Sequence, residues 1–70
     1  MLKIGDAVKA EGYTGVIVEP DETMLAMRKS VSNRVADFWW VRFNGLGPHG
    51  DGIGIYHRTS YKIFRLAIPK

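Results

Sequence analysis

The side chains best suited to chemistry lie in the second half of the chain. His49, Asp51 and His57 carry metal-ligating atoms. Their spacing matches no metal-binding motif, and two of the three sit in a glycine-dense stretch. Gly45-Leu46-Gly47-Pro48-His49-Gly50 spells G-x-G-x-x-G. A dinucleotide cradle of that form needs a helix directly behind it to hold pyrophosphate, whereas Pro48 and then a β-rich run follow here. A mobile hairpin loop fits that segment better. No Ser/His/Asp order and no paired carboxylates stand out, and Asp6, Asp21 and Asp37 read as turn or cap residues. The expectation is a chain with no catalytic residue, no metal and no cofactor, and therefore not an enzyme.

Binding chemistry is better represented. Phe38-Trp39-Trp40-Val41-Arg42-Phe43 is the strongest strand signal in the sequence. Strand alternation puts Trp39, Val41 and Phe43 on one face and Phe38, Trp40 and Arg42 on the other. Arg42 must reach water, so Val41 and Phe43 are assigned to the core and Trp40 points outward. The same logic turns Ile53 and Ile55 inward, with Gly54 and Tyr56 outward. Trp40, Arg42, Tyr56 and Arg58 then share one outer surface, with Lys62 or Arg65 nearby. Aromatic rings beside guanidinium groups can stack bases or line a peptide groove. Arg28, Lys29 and Arg34 form a basic cluster able to contact phosphates. The competing reading is that residues 20–36, which carry Met24, Leu25, Met27 and Val31, fold over Trp40 and bury it. The first expectation of partner is nucleic acid. The alternative is a protein partner, including a second copy of the chain.

The elements that must position these residues are short. Seventy residues make one domain, 1–70, with one core. Without cysteine there is no disulfide framework and no thiolate metal site, so a compact barrel or oligomerisation has to supply stability. Hydrophobic residues at 46% against 24% charged exclude disorder. A net charge of +3 permits a polyanionic partner without requiring one. No apolar run approaches the ~18 residues of a membrane span. The opening Met-Leu-Lys-Ile-Gly-Asp has no apolar signal region behind it. A cytoplasmic location, away from membranes, is expected.

Strands are expected within Lys3 to Ala10, over Val16 to Glu19, Phe38 to Phe43 and Ile53 to Tyr56, and from Lys62 to Ile68. A turn spans Glu11 to Gly15, and His57 to Ser60 form a single helical turn. Residues 22–36 read either as a short helix or turn-rich insertion capped by Asp21, which we favour, or as an extended hairpin arm.

This order is similar to the SH3-like small barrel. Gly5-Asp6-x-Val8 followed by Gly12, Gly15 and Val18 resembles the opening of a KOW-type motif. Val41-x-Phe43, a polar loop, Ile53-x-Ile55-Tyr56, a helical turn and Ile63-Phe64 resemble the back half of such barrels. The resemblance covers nearly the whole chain except residues 20–36. It implies an all-β, five-stranded barrel with an insertion after the second strand. The pattern recurs in ribosomal and transcription-factor modules, photosystem subunits and the plasmid-type dihydrofolate reductase, so it implies a fold and leaves function open. The reductase family carries Val-Gln-Ile-Tyr on its penultimate strand. The matching segment here, Ile53-Gly54-Ile55-Tyr56, keeps Ile55 and Tyr56 but has glycine where the glutamine amide would make hydrogen bonds, so a reductase-like enzyme is only the third reading of function.

Overall fold

Ala7–Ala10 (β1) and Tyr13–Ile17 (β2) fold back on each other through two residues, Glu11 and Gly12. Both take positive φ, at 53° and 89°. That is the turn whose twist matches an antiparallel hairpin, and Gly12 adopts it without steric cost. The expected five-residue turn therefore shrinks to two, and β2 starts at Tyr13 instead of Val16. The computed structural model describes residues 1–66. The expected extension of the last strand to Ile68, and Lys70, lie outside the described residues.

After β2 the chain enters the insertion. Asp21 Oδ1 accepts from the Met24 N–H at 2.9 Å and caps a short helix, Glu22–Met27 (α1). A 3₁₀ run over Lys29–Asp37, with a kink at Arg34, leads into Phe38–Phe43 (β3). The helical, turn-rich reading of the insertion holds, and no extended arm forms there. The glycine-dense segment joins β3 to Ile53–His57 (β4). A turn closed by Ser60 N–H donating to His57 O at 2.8 Å then leads to Ile63–Arg65 (β5).

The five strands make one antiparallel sheet in the order β4-β3-β2-β1-β5, curled into a half-barrel. The inner face carries the main core: Val8, Ala10, Ile17, Trp39, Val41, Phe43, Tyr56 and Ile63. A second apolar cluster lies on the outer face of β3 and β4. There Met24, Trp40 and Ile53 pack together, bordered by Val18, Leu25, Val31, Val35, Phe38 and Ile55. The insertion thus roofs half of the outer face.

That roof overturns the expected facing of β4. The β3–β4 register pairs Trp39 with Tyr56, Trp40 with Ile55 and Val41 with Gly54. Directly paired residues point to the same side. Gly54 and Tyr56 therefore face inward with Val41, and Ile53 and Ile55 face outward beneath the insertion. A Cβ on Gly54 would stand 2.5 Å from the Phe43 ring and 2.8 Å from the Tyr56 ring. Glycine is there because two aromatic rings close over it.

Candidate nucleic-acid interface

Four of the expected binding residues were assigned to one aromatic-basic surface, and the fold separates them. Trp40 is 2% exposed, sealed by Met24 and its neighbours. Its indole Nε1–H has no hydrogen-bond partner among the described residues. Tyr56 is 5% exposed and lies on the opposite side of the sheet. Its hydroxyl donates to Glu11 Oε2 at 2.8 Å, and burial, with the Glu11 carboxylate second, pushes the phenol pKa upward. Trp40 and Tyr56 thus share no outer surface.

The arginines are distributed as well. Arg42 stays exposed and pairs with Asp21 at 3.0 Å. Arg58 lies over the Trp39 ring, 4.0 Å from its centroid, a cation–π contact. Arg34 sits 5.5 Å above the Phe38 ring, which in turn meets His57 edge-on at 5.6 Å. Arg28 is tied to Asp51 at 2.8 Å and to the Ile53 carbonyl at 3.2 Å, with its side chain only 22% exposed. Lys29 is exposed on the insertion. Two of the expected basic groups, Arg34 and Arg58, therefore do meet aromatic rings, but at Phe38 and Trp39.

Beneath α1, a cavity of about 290 Å³ opens between Asp21, Met24, Arg42, Phe43 and Ile53. Its charged rim is neutral, because Arg42 and Asp21 cancel. The Met24 N–H, and then Arg42, hold the Asp21 carboxyl below its usual range. A rim of that kind offers an anion little attraction.

The other half of the outer face is open. The β1–β5 register sets Lys9 directly beside Phe64, and the β1–β2 register sets Thr14 on the other side of Lys9. Phe64 is 54% exposed although it lies in a strand. Tyr61, three residues earlier, is 92% exposed, and Lys9 and Lys62 are exposed too. Arg65, on the same strand, pairs with Asp6 at 3.3 Å and bonds to the Met1 carbonyl. Lys9, Phe64 and Tyr61 are residues that the sequence reading passed over, whereas Lys62 was expected near the aromatic face. The available signal was parity: Ile63 inward implies Phe64 outward, next to the alternating Lys9 of β1.

Among the described residues, no group of three or more His, Cys, Asp and Glu side chains is arranged to hold a metal ion, and no helix is long and apolar enough to cross a membrane. Compared with known proteins, the chain matches no family model, no curated protein and no solved structure. The fold and surface therefore define the class on their own: a small, curled, antiparallel sheet with one roofed and one open outer half.

Proposed function

We propose that this chain is a small non-catalytic nucleic-acid-binding module of the SH3-like barrel type. Its contact surface is the open half of the outer sheet face. The observation that carries this reading is the exposed Phe64 ring set directly beside Lys9 in the β1–β5 pair. A ring held on a strand can act as a stacking platform for any base, and the ammonium group of the neighbouring Lys9 can contact a backbone phosphate. Lys62, which shares the parity of Phe64, supplies a second charge, and Tyr61 adds an exposed ring in the bend just before β5. Arg34, Arg58 and Lys29 add to the positive field at longer range, and Trp40 and Tyr56 serve the two cores instead of the ligand.

Titration of labelled single-stranded DNA and RNA oligonucleotides at two salt concentrations tests this. Phe64→Ala weakens binding about 5- to 150-fold, the equivalent of ~1–3 kcal/mol of stacking. Lys9→Ala flattens the salt dependence by about 0.7 units of log slope, one phosphate contact on a single strand. Absence of salt-sensitive binding to any DNA or RNA contradicts the proposal. The same exposed Phe64 and Tyr61 favour a protein partner as the second reading. In that case Phe64→Ala abolishes a protein contact or a self-association while nucleic-acid binding stays at background.

A further inference from the structure

A half-barrel leaves edges, and edge strands attract further strands because their backbone groups are unpaired. In the described residues β4 is such an edge. Phe43 N–H donates to Gly52 O at 2.8 Å across the β3–β4 ladder. Antiparallel pairing alternates along the register, so Gly54 and Tyr56 bond to β3. The N–H and C=O groups of Ile53, Ile55 and His57 then point away from the sheet.

Those outward groups are not left bare. The Ile53 N–H donates to Asp51 Oδ1 at 3.0 Å, and the Ile53 carbonyl accepts from Arg28 Nη2 at 3.2 Å. Arg28 Nη2 also bonds both oxygens of Asp51, at 2.8 and 2.9 Å. The two side chains thus present a donor and an acceptor to one residue, as a neighbouring strand does. The Ile53 N–H, and then Arg28, hold the Asp51 carboxyl below its usual range, so the pair stays charged. At the far end of β4, the His57 carbonyl is occupied by the Ser60 N–H at 2.8 Å. Ile55 alone keeps both outward groups without a partner among the described residues.

We propose that Arg28 and Asp51 act as a side-chain substitute for a sixth strand, guarding the β4 edge against strand addition by a second copy of this chain. A two-fold antiparallel pairing of β4 with its copy, centred on Ile55, sets each Ile53 against the other copy's His57. The guard and the Ser60 turn occupy those positions and leave only the central pair. Arg28 ends α1 and Asp51 sits in the β3–β4 loop, so the guard also depends on the insertion being docked.

Sedimentation velocity over a concentration series tests this on Arg28→Ala and Asp51→Ala against the wild type. Either variant begins to self-associate at a concentration lower by about tenfold or more, and hydrogen exchange at the Ile55 amide slows in the associated form. Adding Ile55→Pro to either variant removes the outward N–H and returns the threshold to that of the wild type. If Asp51→Ala fails to fold, Asp51→Asn keeps an acceptor for the Ile53 N–H but loses the charge facing Arg28, and its threshold falls between wild type and Arg28→Ala. An unchanged threshold in variants that have only lost thermal stability overturns the proposal. So does association that persists with Ile55→Pro.

Discussion

The outer face of β3–β4 and the outer face of β5–β1–β2 are made of similar residues. Each carries an aromatic ring on a strand, Trp40 in one and Phe64 in the other, with a basic side chain close by in the sheet. One ring is sealed under Met24, Leu25 and Val31, and the other stands in solvent. Strand chemistry alone does not decide between core and surface. The decision is made by a separate segment, the insertion, which is long enough to roof two strands and no more. Its apolar residues convert the roofed half into a second core, and the open half is left in solvent.

The largest effect is expected from removing the roofed ring. Trp40→Ala costs ~3–5 kcal/mol in chemical denaturation, as for other large core truncations. Trp40→Phe costs less, because it keeps most of the ring and deletes the unpartnered indole N–H. Loss of a kilocalorie or less for the alanine variant would place Trp40 outside the second core. Next is the inner face, where Gly54→Ala pushes a methyl group into the Phe43 and Tyr56 rings. A loss of ~1–3 kcal/mol follows from overpacking. An unchanged midpoint would mean that the rings move aside freely.

Acid produces a smaller, graded effect on the roofed half. The Met24 N–H and Arg42 hold the Asp21 carboxyl below its ordinary range, and the Ile53 N–H and Arg28 do the same for Asp51. A lowered folded-state pKa contributes stability above the unfolded value, and that contribution is lost as pH falls through the folded one. Stability should therefore be flat near neutrality and decline below about pH 4. Asp51→Asn shows a shallower decline than wild type, and an equal decline would remove Asp51 from the account. The smallest stability change is expected on the open half. Phe64→Ala stays within about 0.5 kcal/mol of wild type, because the ring is half-exposed at a surface position. A loss as large as that at Trp40 would make Phe64 a core residue and weaken its case as a binding platform.

Much of the framework was readable from residue types. β3 runs over the expected residues because Trp, Val and Phe in succession suit only a strand. Asp21 caps a helix, as its position before Glu22-Thr23-Met24 suggested. The tight hairpin was harder to read, because Glu11 takes a left-handed backbone that its residue type does not favour. The facing of β4 was not legible. Ile53 and Ile55 are as apolar as Val41 and Phe43 because both faces of β4 are buried, so alternation carries no sign there. The one clue was Gly54, a residue that suits a crowded inner face better than open solvent. With β4 reversed, the expected grouping of Trp40 with Tyr56 dissolved. The exposed aromatic of the open half, Phe64, was legible only through its parity with Ile63, because its type suits a core position as well as a surface one.

The difference between the two halves can be read directly from amide chemical-shift changes when a single-stranded oligonucleotide is added at low salt. Binding on the open half concentrates the shifts at Lys9, Tyr61, Lys62 and Phe64, which recede as salt is raised, and leaves Trp40, Met24 and Leu25 unmoved. Shifts centred on Trp40 and the insertion, or none anywhere, would contradict it.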